Sequence, residues 1–145
     1  MANRPGKFVD GYLLYLMAAA SEKASAEFHE SVRKAGLRVP EWRVLASLVD
    51  GAPMMVTELA KLCLLEQSRL TKIIVQMSNR GLVERQADPA DRRRVCVALT
   101  PEGQAVATSL GDQAKAHETQ LLARLADTDA ARIKPVLQAL LAALR

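Results

Sequence analysis

Three consecutive arginines, Arg92, Arg93 and Arg94, follow two aspartates, Asp88 and Asp91, at the tip of a predicted hairpin. Guanidinium groups bind anionic oxygens through paired hydrogen bonds, so a cluster of them is suited to holding a polyanion. Because a carboxylate beside an arginine fixes the guanidinium in one rotamer, we predict that the two aspartates orient the arginines. One of Arg92 and Arg93 then enters the minor groove of a DNA duplex, the other pairs with an aspartate, and Arg94 contacts phosphate.

A second polar cluster, Gln67, Ser68, Arg69, Thr71 and Lys72, stands at the start of a predicted helix. When the first turns of a helix lie in the major groove, such side chains reach base edges and phosphates. Arg69 suits guanine, and Gln67 suits adenine or a phosphate. Ser68 and Thr71 are short and suit backbone oxygens, whereas Lys72 suits a phosphate contact that positions the protein without reading sequence. The cluster therefore predicts an element that reads DNA.

A shorter helix precedes this cluster and pairs with it as a helix-turn-helix. Thr57 is its candidate N-cap and a further candidate DNA contact. Ala60 is small enough to stand where the two helices cross, and a break near residues 64 and 65 separates them. Gln76 and Arg80, further along the second helix, either meet the DNA backbone at the groove edge or belong to a solvated helix face.

The other elements are predicted from hydrophobic spacing and capping residues. A long first helix begins at Lys7 and ends near Ala35, with Gly36 as its stop signal. In the last helix, Pro135 either causes a kink or marks the true start. The remaining elements are helices opening near 39, 57, 66, 101 and 129 and hairpin strands at 82–85 and 94–99. A mostly helical α+β fold follows.

We predict one interleaved domain with three parts. Residues 1–35 form an N-terminal dimerisation helix, residues 36–100 a DNA-binding lobe, and residues 101–145 the C-terminal dimerisation helices. A first helix of this length would extend roughly 40 Å, longer than a compact domain needs, so it has to lie against something. We therefore expect a homodimer, with a monomeric helical bundle as the alternative.

Charge and composition narrow the class of protein. Residues 66–100 hold seven Lys or Arg against four acids, so this segment carries most of the net charge of +4. Apolar runs are too short for a span of about 20 residues, and the N-terminus lacks the features of a signal peptide, so we expect a cytoplasmic protein without a membrane partner. Cys63 and Cys96 lack a CxxC spacing and are expected to be reduced packing residues.

Catalytic and cofactor chemistry finds little support. His29 and His117 are far apart in the chain, with no nucleophile motif, phosphate loop or zinc spacing beside them, so we predict no enzyme activity, cofactor or bound metal. Two chemistries by which the protein could respond to a signal stay open. One is oxidation of Cys63 or Cys96, and the other is a metal site built from His117, Glu118 and a residue of a second subunit.

Several motifs together resemble the MarR family of bacterial winged helix-turn-helix regulators. The matching segments are Glu58-Leu59-Ala60, Ser68 to Lys72, Gly81 to Arg85, Asp88 to Arg93, and Val97 to Gly103 with its Leu-Thr-Pro-Glu-Gly run. The order of elements matches over the entire length. Leu64 stands where many members have glycine, so we expect this turn to avoid positive φ.

The resemblance implies a winged helix-turn-helix and a homodimer that binds double-stranded DNA at a palindromic operator. It also implies a transcription regulator, expected to be a repressor that a small aromatic or phenolic anion releases. The implied pocket lies between the dimer helices and the DNA-binding lobe. Its predicted ligand-binding residues are Tyr12, Tyr15, Trp42 and Arg43, with Met17 and His29 nearby. An aromatic carboxylate suits Arg43, because a guanidinium pairs with carboxylates.

Overall fold

A computed structural model describes residues 6–145 of the chain. Helices dominate it, and the predicted fold class, a mostly helical winged helix-turn-helix, is confirmed. Residues 1–5 lie outside the described residues. They belong to the predicted N-terminal dimerisation segment and to the stretch that was predicted to lack a signal peptide. The helices are α1 Leu13–Lys34, α2 Val39–Leu48, α3 Val56–Leu62, α4 Gln67–Asn79, α5 Pro101–Leu125 and α6 Ile133–Ala143; the strands are β1 Met54–Met55, β2 Val83–Ala87 and β3 Val95–Leu99.

The first helix begins later than predicted. A short 3-10 helix, Phe8–Gly11, comes first, and Tyr12 is extended (φ −89°, ψ 116°) before α1 starts at Leu13. The Asp10 carboxylate accepts the backbone N–H of Lys7 at 2.9 Å, and this local turn ends at Tyr12. The prediction of one continuous helix from Lys7 is therefore wrong. At the other end of α1 the stop signal is confirmed, since Gly36 has φ +79°.

The sheet has one strand more than predicted. β1, β3 and β2 lie in that order, antiparallel, with Met55 opposite Cys96 and Val83 opposite Leu99. β1 has only two residues, so it carries no alternating pattern that a sequence could show. Val97, at the middle of the central strand, is fully buried.

The helix-turn-helix departs from the predictions at two residues. Met55, not Thr57, is the N-cap of α3, because the chain passes directly from β1 into the helix; Thr57 is its second residue and is exposed. Leu64 has φ +58°, so the expectation that this turn avoids positive φ is wrong. The conformation lets the N–H of Leu65 bond to the carbonyl of Ala60 at 3.0 Å, which closes the end of α3.

The core of residues 36–100 lies between α2, α3, α4 and the sheet. Its fully buried side chains include Leu45, Leu59, Leu70, Ile74 and Val97. On one edge, α5 approaches the start of β2 so closely that a Cβ on Gly103 would lie 1.9 Å from the carbonyl oxygen of Leu82. Only glycine fits there.

Thr100 is the predicted cap of α5 and is confirmed in that role. Its Oγ1 accepts the N–H of Gly103 at 2.9 Å and donates to the carbonyl of Gly81 at 2.6 Å. These bonds fix the start of α5 to the end of the helix-turn-helix.

The chain divides into two compact units, Met1–Gln113 and Ala114–Arg145. In the second unit, Thr128 caps a 3-10 helix, Asp129–Arg132, and α6 follows. Pro135 lies in the first turn of α6, so it marks the start of that helix and does not kink it. The Lys134 ammonium lies 2.8 Å from the Glu118 carboxylate.

Candidate nucleic-acid interface

Helix α4 separates its residues into two faces. Leu70, Ile73, Ile74 and Met77 are buried, and this spacing leaves the intervening polar residues on the opposite face. All five predicted DNA-reading residues of this helix are exposed: Gln67, Ser68, Arg69, Thr71 and Lys72. Thr71 Oγ1 donates to the carbonyl of Gln67 at 2.9 Å, which leaves its lone pairs available as acceptors.

Hairpin β2–β3 forms the wing, and Asp91 organises its tip. One carboxylate oxygen of Asp91 accepts the backbone N–H of Arg93 at 3.0 Å and its Nε at 3.2 Å. The other oxygen lies 3.8 Å from Nε of Arg94. Asp91 thus holds two neighbouring guanidinium groups, while the Arg93 side chain remains 91% exposed.

Asp88 acts on the backbone of the wing. Its carboxylate accepts the N–H of Ala90 at 2.9 Å, and its own N–H donates to the carbonyl of Arg94 at 2.9 Å. These bonds shape the turn around Pro89, and Asp88 makes no ion pair within residues 6–145. Over the same residues Arg92 has no hydrogen-bond or ion-pair partner, so its guanidinium is available for a ligand.

A cleft of about 470 Å³ lies between the start of α3, the start of α4 and the wing. It brings together predicted residues from both clusters, since Thr57, Gln67 and Thr71 line one side and Arg93 and Arg94 the other. The apolar lining is supplied by Met55, Val56, Ile74 and Val95. Cationic groups along such a concave wall suit an anionic ligand that runs past it.

Four predicted DNA-binding residues are not part of the cleft lining: Ser68, Arg69 and Lys72 on α4, and Arg92 in the wing. All four are exposed. Arg85 does line the cleft, and the sequence reasoning did not include it among the site residues. The available signal was its place in the wing two residues after Val83, where side chains share one face of the strand.

The far end of α4 is engaged with other parts of the protein. Arg80 Nη1 lies 3.3 Å from the Glu41 carboxylate, and Arg80 Nη2 donates to the carbonyl of Gly36 at 3.0 Å. The Gln76 amide oxygen accepts a bond from Arg38. Gln76 and Arg80 were predicted either to meet the DNA backbone or to belong to a solvated helix face. The structure adds a third role, since both take part in an internal hydrogen-bond network.

The four predicted ligand-binding residues fall into two groups by their contacts. Tyr12 stacks on Phe8 with ring centroids 5.0 Å apart, and Tyr15 is exposed in the first turn of α1. Trp42 meets Phe28 edge to face at 5.2 Å, and Arg43 Nη1 lies 3.5 Å from the carbonyl of Cys63.

Arg43 influences two titratable neighbours. Burial, followed by the positive charges of Arg33 and Arg43, lowers the pKa of His29. Burial also raises the pKa of the Cys63 thiol, and this effect exceeds the opposing influence of a Ser47 hydrogen bond and of Arg43. Because a thiolate is the reactive form, a raised pKa makes Cys63 a poor site for oxidant sensing.

Other chemistries gain no support from the geometry. Within residues 6–145, His, Cys, Asp and Glu side chains form no group of three that could hold a metal ion. The Glu118 carboxylate, one of the two metal candidates, is paired with Lys134. In the same part of the chain, every helix is too short or too polar to cross a lipid bilayer.

Comparison with known proteins gives a consistent match. A profile of the MarR family matches residues 35–94. The crystal structure of a MarR family transcriptional regulator from Silicibacter pomeroyi DSS-3 is 61% identical, covers 97% of this chain and 100% of its own, and superposes with a TM-score of 0.90. The homoprotocatechuate degradative operon repressor of Escherichia coli is 34% identical over 95 residues, which are 65% of this chain and 64% of that protein. Transcriptional regulator HosA of Escherichia coli O111:H- is 35% identical over 79 residues, 52% of this chain and 58% of its own length. The matches to these curated relatives therefore span less than two thirds of each.

Proposed function

Since this chain belongs to the MarR family, we propose that it is a sequence-specific DNA-binding transcriptional regulator that acts as a homodimer on a palindromic operator. One observation carries the proposal. The exposed polar start of α4 and the arginines of the wing border the same cleft, so a duplex could meet both at once. The match to the Silicibacter pomeroyi regulator over nearly the whole chain supports this assignment.

In the proposed complex, the first turns of α4 lie in the major groove. Arg69 reads guanine, and Gln67 reads adenine or a phosphate. Lys72, Ser68 and Thr71 contact the DNA backbone and set the register. Thr57 approaches the same backbone from the start of α3, since it lines the cleft beside Gln67.

The wing supplies the second point of contact. Asp91 holds Arg93 and Arg94, so we assign Arg92 to the minor groove and the two held arginines to phosphates. Asp88 fixes the turn that presents Arg92. Arg85 joins Arg93 and Arg94 along the wall of the cleft and adds a third cation for the phosphates.

The dimer is supported by exposed apolar side chains in each unit. In the first unit, Phe8 is 79% exposed and Leu13 is 62% exposed; in the second, Leu141 and Leu144 are 70% and 72% exposed. Clusters of large exposed hydrophobic residues mark interaction surfaces. We assign dimerisation to the segments 1–35 and 101–145, and DNA binding to 36–100.

The regulator is proposed to be a repressor that a small aromatic carboxylate releases. Arg43 would pair with the carboxylate, while Trp42, Tyr12 and Tyr15 would surround the ring. One similar protein is a repressor of a homoprotocatechuate degradative operon. Titration of aromatic carboxylates against the DNA complex tests this step, with Arg43→Ala as the variant that should lose the response while it still binds DNA. A wild-type protein that keeps its DNA and its melting temperature in every such titration contradicts it.

Selection of bound sequences from a random DNA pool at low ionic strength tests the main proposal. We expect a two-fold symmetric site whose half-sites lie about one helical turn, roughly 10 bp, apart. Sedimentation of the free protein should give a dimer. A protein that sediments as one subunit, or that enriches no sequence, contradicts the proposal.

A further inference from the structure

Glu41 is a buried carboxylate, with only 3% of its surface exposed. A buried charge is unfavourable unless it is paired and hydrogen-bonded. Here one carboxylate oxygen accepts the backbone N–H of Arg38 at 2.9 Å and lies 3.4 Å from its Nε. The other oxygen lies 3.3 Å from Nη1 of Arg80. Both oxygens therefore have cationic partners. Arg38 is close to Glu41 in the sequence, whereas Arg80 lies 39 residues further along.

The partners of Glu41 extend the network to the end of α1. Arg80 also donates to the carbonyl of Gly36, where α1 has ended, at 3.0 Å. Arg38 also donates to the amide oxygen of Gln76 on α4. We call Arg38, Glu41, Gln76 and Arg80 the Glu41 clamp. It ties the α1–α2 junction to the last turn and the C-cap of α4.

The clamp holds the opposite end of the helix that reads DNA. Gln76 and Arg80 lie at the C-terminal end of α4, whereas Gln67 and Arg69 lie in its first turn. A helix of this length extends about 20 Å and behaves as a rigid rod on that scale. Contacts that fix the C-terminal end of such a rod therefore also fix its rotation about the helix axis. They thereby set the direction in which the side chains of the first turn point.

We propose that Glu41 is a positioning residue for DNA recognition, acting through Arg80 to set the rotation of α4 in the major groove. The inference rests on the proposed function and adds a residue that touches no DNA. Arg38 and Arg80 are 59% and 46% exposed, so each could instead be a phosphate contact. Glu41 separates the two explanations, because a buried anion has no contact with phosphate.

The test compares Glu41→Gln, Arg80→Gln and the double variant with the wild type. Glutamine keeps the volume of Glu41 and an acceptor for the N–H of Arg38 but removes the charge that holds Arg80. Affinity is measured for the selected operator and for an unrelated duplex over a range of salt concentrations. We expect each single variant to lose operator affinity by about tenfold with an unchanged salt slope and nearly unchanged affinity for the unrelated duplex.

The double variant should bind the operator no more weakly than the single variant with the lower affinity, since both changes open the same clamp. Arg33→Gln is the matched control, because it breaks the exposed pair with Glu30 and removes one positive charge without touching the clamp. It should leave the ratio of specific to non-specific affinity unchanged.

Three results overturn the inference. Operator affinity unchanged in Glu41→Gln, with a salt slope lower by about one in Arg80→Gln, makes Arg80 a phosphate contact. Effects that multiply in the double variant show two independent roles. Equal losses on both duplexes, in step with a lower melting temperature, show a purely structural role. A wild type that binds no duplex removes the proposed function itself and is recognised by that result alone.

Hydrogen exchange on the free protein gives a readout that needs no DNA. The amides of Arg80 and Leu82 bond to the carbonyls of Gln76 and Met77 at the end of α4. In Glu41→Gln these amides should exchange faster than in the wild type, while those of α3 stay unchanged. Equal exchange in the two proteins overturns the clamp.

Discussion

The two ends of α4 meet very different surroundings. At its start, Arg69 and Lys72 are exposed, and their side chains have no hydrogen-bond or ion-pair partner among the described residues. At its end, Gln76 and Arg80 are bonded to Arg38, Glu41 and Gly36. One helix is thus held at one end and left open to a ligand at the other. Side chains with internal partners define a position, and side chains without them are available for recognition.

The largest effect on stability should come from a substitution that disturbs the backbone next to the C-terminal end of α4. Gly103→Ala would place a Cβ 1.9 Å from the carbonyl of Leu82, directly after the end of α4, so the backbone must move. We expect a loss of about 3 kcal/mol in the free energy of unfolding. Denaturant titration measures it.

Gly111→Ala is the matched control on the same helix, α5. Its Cβ would meet nothing within 4 Å, so alanine should leave stability unchanged or raise it slightly. Similar losses in the two variants would show that helix propensity, and not the close approach at Leu82, determines the effect.

At the open end, Arg69→Ala should leave stability unchanged and weaken operator binding. The expected cost is about 1–3 kcal/mol, with relaxed preference at one operator position, because a bidentate contact to guanine would be lost. Repeating the sequence selection with the variant measures the preference. An unchanged preference would place Arg69 outside the major groove.

Lys72→Ala sharpens the comparison within the open end. A phosphate contact carries no sequence information, so the variant should weaken binding to all duplexes alike and lower the salt slope by about one. Affinity measured at several salt concentrations checks this. A loss confined to the operator would make Lys72 a base-reading residue.

Leu64→Gly tests the turn between α3 and α4. Leu64 has φ +58° and a side chain that is 78% exposed, so glycine removes backbone strain and gives up little packing. We expect the free energy of unfolding to rise by about 0.5 kcal/mol, because the relieved strain slightly exceeds the entropy that glycine adds to the unfolded chain. Thermal or denaturant unfolding measures it. Leu62→Gly, inside α3 and also exposed, should have the opposite sign.

The smallest effect concerns His29, in the α1 helix outside α4. Its folded-state pKa is lowered from 6.5 by burial, Arg33 and Arg43. The stability that its neutral form contributes is therefore present above pH 6.5 and lost as the pH falls through the folded-state pKa. His29→Gln should flatten this part of the stability profile between neutral and acidic pH, as measured by melting temperatures. A profile identical to that of the wild type contradicts it.

The features that the sequence predicted correctly depend on neighbouring residues. The stop at Gly36 and the cap at Thr100 are local, and the polar and apolar spacing of α4 repeats within a few turns. The pairing of an arginine with one of the two aspartates was predicted, and the turn geometry makes that aspartate Asp91 and its partners Arg93 and Arg94. That choice depends on backbone positions that residue types alone do not give.

The features that it missed depend on distant residues. β1 forms only because Met54 and Met55 lie opposite Val97 and Cys96. Arg80 reaches Glu41 across nearly forty positions. Such pairings leave no local periodicity in the chain.

The central position of β3 has a consequence for synthesis on the ribosome. Because β3 lies between β1 and β2, the sheet cannot close until Val95–Leu99 has left the exit tunnel, although α3 and α4 emerge earlier. Non-local pairing of this kind is slow relative to helix formation. A nascent polypeptide arrested just before β3 would therefore display α4 without the wing beside it, and the proposed DNA-binding surface would form only when the wing is complete.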